Sequence, residues 1–114
     1  MSFTKVAKTS EIPPGTMKKV RIGDKDILVS NVGGVYYAIA NPCTHDGGDL
    51  SAGTLEGGVV TCPVHGSRFD VRTGKSVSGS RFLVFKFKVE DAASFEVKVE
   101  GDEVMVFQRS IWGM

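Results

Sequence analysis

Short runs rich in β-branched and aromatic residues, broken by turn residues, fill the first forty positions. They cover residues 16–22, 26–30 and 35–40 and are punctuated by Pro13-Pro14-Gly15, Gly23-Asp24 and Gly33-Gly34. The pattern predicts strands joined by tight connections. It returns after residue 82, where Phe85, Phe87 and Val89 alternate with Lys86 and Lys88, and Phe95, Val97 and Val99 alternate with Glu96, Lys98 and Glu100. A period of two puts one face of a strand in a core and the other in water. Gly101-Asp102 reads as a hairpin turn into a further strand over residues 103–108. No segment sustains a helical period over three turns. The expected fold is all-β, an antiparallel sandwich or small barrel.

The middle of the chain differs in texture. Residues 41–81 hold many of the glycines together with both cysteines and both histidines, and only 59–62 and 69–72 resemble strands. We read this stretch as a loop-built subdomain inserted between the strands of the base, within a single domain spanning 1–114. Loops rich in glycine lose more backbone freedom on folding than other loops do, so they need something to order them. A bound metal centre would do so.

Composition narrows the function without naming it. The 114 residues are 41% hydrophobic and 24% charged, enough for one modest core. Fourteen basic and thirteen acidic residues give a formal charge of +1, which supplies no broad attraction to nucleic acid or to an anionic membrane. The first fifteen residues contain no apolar stretch of signal-peptide length, and no apolar run reaches the roughly eighteen residues of a membrane span. The expectation is a cytoplasmic, untethered protein, monomeric by default. Two cysteines are too sparse for a disulfide framework of the secreted kind. Few asparagines and glutamines hint at a thermophilic source.

The chemistry lies in Cys43-Thr44-His45 and Cys62-Pro63-Val64-His65, a C-x-H and a C-x-x-H with sixteen residues between them. They contain every cysteine and histidine in the chain. Taken singly, each cysteine reads as a small buried hydrophobe and each histidine as a hydrogen-bonded or surface residue. Two tight pairs, each with one thiolate and one imidazole donor, point instead to a metal. Spacing alone leaves zinc open, since Cys₂His₂ sites also use short-spaced pairs. Zinc fingers, however, usually take two cysteines from one knuckle and two histidines from a helix. One of each on two equivalent loops suits a two-metal cluster better, in which His₂ replaces Cys₂ on one iron.

The flanking residues carry a resemblance. With C-T-H-D-G-G-D-L, then C-P-V-H-G-S-R-F-D, then V-R-T-G-K, the chain resembles the Rieske-type ferredoxins, the free carriers between a reductase and an oxygenase, from its first strands to residues 103–108. The resemblance implies one [2Fe–2S] cluster, with Cys43 and Cys62 on the inner iron and His45 and His65 on an outer iron whose imidazoles approach the surface. It implies that Gly47, Gly48 and Gly66 let backbone N–H groups approach the bridging sulfides, that Pro63 covers the cluster, and that the Ser67 hydroxyl donates to a sulfide. The glycines and Pro63 read equally as ordinary turn residues.

Three departures separate the chain from the respiratory Rieske proteins it would otherwise resemble: no second cysteine pair flanks the ligands, Phe69 stands where those proteins carry a tyrosine, and no amino-terminal anchor is evident. The cluster so implied is neutral when oxidised and singly negative when reduced. It therefore accepts an electron more readily than a four-cysteine cluster, which starts at minus two. Without the tyrosine the expected midpoint is near the low end of the Rieske span of about −150 to +300 mV. The expected function is one-electron transfer, not catalysis, from an NAD(P)H-dependent flavoprotein reductase to a terminal oxygenase, with both docking near His45 and His65. The alternatives are a small subunit of a larger redox enzyme, a redox sensor, or a structural zinc module. Residues 109–114, with Ile111 and Trp112, serve either as a packing clasp or as a partner contact.

Overall fold

The computed structural model describes residues 2–41, 48–64, 66–77 and 91–108. Its strands are β1 (Ser2–Lys8), β2 (Met17–Ile22), β3 (Lys25–Val32), β4 (Val35–Ala40), β5 (Thr54–Glu56), β6 (Val59–Thr61), β7 (Arg68–Asp70), β8 (Ser76–Val77), β9 (Ser94–Phe95), β10 (Val97–Glu100) and β11 (Glu103–Gln108). They form three antiparallel sheets, ordered β1-β11-β10, β2-β3-β4-β9 and β5-β6-β7-β8. The all-β antiparallel expectation holds.

The second sheet is built from hairpins. Ile22 pairs with Lys25 and Val32 with Val35, which leaves the two-residue turns Gly23-Asp24 and Gly33-Gly34. Gly33 (φ 63) and Gly34 (φ 96) both take positive φ, the backbone that matches the twist of a two-residue hairpin and disfavours a side chain. At the open end of β3, buried Asn31 donates from Nδ2 to the Ile12 carbonyl (2.8 Å) and accepts at Oδ1 from the Gly34 N–H (2.7 Å). That fixes the Pro13-Pro14-Gly15 connection against the sheet.

β3 is buried without interruption from Ile27 to Asn31, the signature of a strand covered on both faces. Ile27 and Val29 face a first core with Val20, Ile22, Ala38, Val104 and Val106, between the first and second sheets. Leu28 faces a second core with Ile39, Leu50, Val60, Cys62, Phe69, Val71 and Ala92, between the second and third sheets. The second sheet is thus the middle layer of three, and Cys62 belongs to the core on its far side.

One expectation gains detail and another needs correction. In the stretch read as a loop-built insertion, the strand-like runs at 59–62 and 69–72 appear as β6 and β7, and β5 and β8 join them in a small sheet whose strands are only two or three residues long. The alternation over residues 95–100 predicted one strand, but it breaks at Glu96. β9 pairs with β4 in the second sheet, while β10 pairs with β11 in the first. The Glu96 carbonyl accepts from the Phe107 N–H at 2.9 Å, so the chain turns a corner between layers there. The predicted strand around residues 85–89 and the segment 109–114 lie outside the described residues.

One buried group in the middle layer is out of balance. Ser30 is 0% exposed, lies opposite Met17 and Tyr37, and its Oγ has no hydrogen-bond partner among the described residues. A buried hydroxyl left unpaired costs about 1–3 kcal/mol. Ser30→Ala should therefore be neutral or stabilising, by up to about 1 kcal/mol. Urea midpoints of the two proteins check this, and a clear loss of stability in the variant would show that the hydroxyl has a partner.

Candidate metal centre

The second ligand motif is the tip of the β6–β7 hairpin. Val60 pairs with Phe69 and Thr61 with Arg68, and the ladder continues one step, with the Cys62 N–H donating to the Ser67 carbonyl at 2.7 Å. The Gly66 N–H donates to the Cys62 carbonyl at 3.0 Å, and Gly66 has φ +80. Its amide thus serves the turn, and its positive φ is what the turn requires of a glycine. Alternation along the two strands turns Val60, Cys62, Ser67 and Phe69 inward. Cys62 is 1% exposed and Ser67 6%, while Pro63 and Val64 face solvent, Val64 at 53%. The hairpin therefore carries a buried thiol beside an exposed tip.

The first motif leaves β4 after Ala40, and the described chain resumes at Gly48. Its two ends are stapled together. Asn41, 3% exposed, donates from its backbone N–H to the Asp26 carbonyl (3.0 Å), accepts at its own carbonyl from the Leu50 N–H (3.4 Å), and accepts at Oδ1 from the Ser51 N–H (3.1 Å). Its Nδ2 donates to Asp49 Oδ1 at 3.0 Å. Asp49 caps the short 3-10 turn Leu50–Ala52 and accepts at the same Oδ1 from the Ser51 N–H (3.0 Å) and the Ser51 hydroxyl (2.6 Å). Lys19 Nζ, on the edge strand β2, stands 3.5 Å from Asp49 Oδ2. The Ser51 and Asn41 hydrogen bonds, helped by the Lys19 charge, hold the Asp49 carboxyl down to about 2.

The described chain that follows the first motif meets the base of the second at Gly53. A side-chain carbon there would overlap the Thr61 carbonyl oxygen and come within 3.2 Å of Pro63 Cδ. Only glycine lets the exit of the first loop lie against the base of the second. The V-R-T-G-K run is the β7–β8 turn. Gly74 accepts from the Ala92 N–H (2.7 Å), and the Ser76 N–H donates to Asp91 Oδ1 (2.8 Å), which ties the turn to the start of the β9 segment.

Of the residues singled out from the sequence, Gly48, Cys62, Pro63, Gly66 and Ser67 are described, and Cys43, His45, Gly47 and His65 lie outside the described residues. The described part fits a thiolate-held cluster. The candidate donor, Cys62, is buried in the second core, and among the described residues no atom lies within 4 Å of where a side-chain carbon at Gly66 would stand. Sequence reasoning missed Lys19, Asn41, Asp49 and Gly53. Asp49-Leu50-Ser51 carried a legible signal, an acidic cap with a hydroxyl two residues on. Lys19 carried none.

Residues 2–84 match the family model described as the Rieske [2Fe–2S] domain. The chain is 38% identical over 106 residues to the ferredoxin component of biphenyl 2,3-dioxygenase from Rhodococcus jostii strain RHA1, covering 93% of this chain and 92% of that one. Among solved structures, it superposes on the ferredoxin of carbazole 1,9a-dioxygenase from Nocardioides aromaticivorans IC177 with a TM-score of 0.84 and 27% identity, over 96% of this chain and all of the other. It is also similar to a chain in the complex of reduced oxygenase and oxidised ferredoxin of carbazole 1,9a-dioxygenase, with a TM-score of 0.79, 38% identity and 91% of each chain covered.

The Asp49 staple gives the first loop an acid-sensitive closure. The folded-state pKa lies below that of a free carboxyl. Its stabilisation is therefore complete above about pH 4 and is lost as the pH falls toward 2. The side chain is about half exposed, so the effect is modest. Asp49→Asn cannot titrate, and its stability should fall less steeply than the parent's across that window. Urea unfolding at stepped pH measures the two slopes, and parallel curves would remove Asp49 from the closure.

Proposed function

This chain belongs to the Rieske [2Fe–2S] family, and on that premise we propose that it carries single electrons from an NAD(P)H-dependent flavoprotein reductase to a terminal oxygenase. The family assignment gives it one [2Fe–2S] cluster and sets the zinc reading aside. It is an electron carrier, like the ferredoxin components it resembles. Among the described residues no helix is long and apolar enough to cross a membrane, and the proposed place of work is the cytoplasm.

One observation carries this reading: a cysteine 1% exposed stands one residue from an exposed hairpin tip. A redox group held there is fastened to the core on one side and reaches a docked partner on the other. In our assignment Cys43 and Cys62 hold the inner iron and His45 and His65 the outer iron. Gly47 and Gly48 line the first loop, Pro63 covers the site and Ser67 donates to it. When bound, the cluster supplies a one-electron couple whose reduced form carries one extra negative charge. The chain's own part is to keep the thiolates dry, bring the imidazoles to the surface and present a small contact area. Transient redox encounters lie at the small end of interface sizes, below about 1,200 Å², and Pro63 and Val64 provide an apolar centre for such a contact.

Each of Cys43→Ser, Cys62→Ser, His45→Ala and His65→Ala should lose most of its cluster. Iron and acid-labile sulfide analysis with a visible spectrum measures the loss, and any variant that keeps a full complement strikes its residue from the ligand set. Val64→Asp puts a charge at the centre of the proposed contact. It should slow electron delivery to an oxygenase on the order of tenfold, the cost of one central interface residue, while the midpoint potential stays unchanged. Stopped-flow transfer rates and voltammetry separate the two effects. An undiminished rate would place the contact elsewhere.

A further inference from the structure

We propose that the Lys19–Asp49 ion pair sets the charge around the cluster, Asp49 lowering its reduction potential and Lys19 offsetting that effect. The proposal rests on the reading that the loop after Asn41 carries Cys43 and His45. The loop's closure uses only one of the two carboxylate oxygens. All three hydrogen bonds that Asp49 accepts from Asn41 and Ser51 fall on Oδ1, and an amide oxygen in its place could still accept them, though less strongly than the carboxylate does. Oδ2 is turned instead to Lys19, on the edge strand β2 and thirty residues away in sequence. Lys19 lies opposite Leu28 on β2–β3, so it projects from the face of the middle sheet that supports the site. A carboxylate whose second oxygen takes no part in the closure, and is met instead by a lysine from the edge strand β2, has an electrostatic use beyond the closure.

Chain geometry brings that charge near the cluster. Asn41 touches Asp49 at 3.0 Å, and Cys43 is two residues from Asn41, a span of about 7 Å at full extension. With the side chain of Asn41 included, the carboxylate lies within roughly 13 Å of the Cys43 backbone whatever path the loop takes. This is well inside the Debye length of about 30 Å at 0.01 M salt. The neighbouring charges on this edge, Arg21 and Asp26, are paired with each other at 3.2 Å and largely cancel. A negative charge opposes the arrival of an electron and a positive charge favours it, so the two partners act with opposite sign.

The test is the midpoint potential of the parent, Asp49→Asn, Lys19→Gln and the double variant at neutral pH, in about 0.01 M and about 0.5 M salt, each first shown by its visible spectrum to hold the cluster. Asp49→Asn should raise the midpoint, Lys19→Gln should lower it, and the double variant should return toward the parent. The differences should shrink in high salt. Lys19 is partly exposed and lies outside the hydrogen-bonded staple, so its variant decides the question even if Asp49→Asn folds poorly. An intact cluster with an unmoved midpoint in Lys19→Gln, or shifts of the same sign in both single variants, overturns the proposal and leaves the ligand assignment untouched. Failure of the parent itself to show a cluster would instead overturn the functional reading beneath it.

Discussion

Leu28 and Val29 are neighbours in sequence, and each is completely buried on an opposite face of β3. Everything else in the molecule depends on this double-sided burial. A sheet covered on one face could be completed by the first sheet alone. Covered on both, it becomes a wall against which a second set of elements can be held. The third sheet needs such a wall, because strands of two and three residues do not make an independently stable sheet. Its stability comes from Val60, Phe69 and Val71 packing onto Leu28 and Ile39. Cys62 is part of the same contact, so a cluster held by it would be fastened to a fully buried core.

From that wall outward, the two candidate ligand segments are anchored by different means. The second is a continuation of a β-ladder and inherits its geometry from the β6–β7 register. The first is anchored at its two described ends. Its ends are drawn together by Asn41, whose backbone and side-chain groups reach β3's Asp26 on one side and Asp49, Leu50 and Ser51 on the other. Gly53 then lets the two loops lie in contact. Bringing ligands together before the metal arrives lowers the ordering cost that binding must meet, and here the work is divided between backbone pairing in one loop and side-chain stapling in the other.

This division also explains what could be read from the sequence. The Gly33-Gly34 turn and the uninterrupted apolar run in β3 are local signals, and the hairpins followed from them. The two Cys–His pairs stood out as candidates because the chain has no other cysteine or histidine. β1 was missed because its register shifts between Lys5 and Ala7, which breaks the period of two on which recognition depends. β5 and β8 were missed because two or three residues cannot establish a period. The break at Glu96 was hidden because Phe95 and Val97 pack against the same core although they belong to different sheets. Asn41, Asp49 and Lys19 are joined by bonds spanning eight and thirty residues, a relation that no local pattern records.

The two features read as bearing on the potential sit at different levels of the structure. Phe69 pairs with Val60 and is fully buried, so its position belongs to the core that carries the third sheet. A tyrosine there would have to find a partner for its hydroxyl inside that core. The choice of an apolar ring serves packing first, and it removes a donor that would have stabilised added negative charge. That constraint cannot be relaxed without repacking Leu28, Ile39 and Val71. Lys19 stands at the opposite extreme, partly exposed and replaceable without touching either core. The expected low potential would thus be tied to the packing, whereas the proposed effect of Lys19 would be carried by a surface side chain, and of the two only the surface charge can be changed without repacking a core.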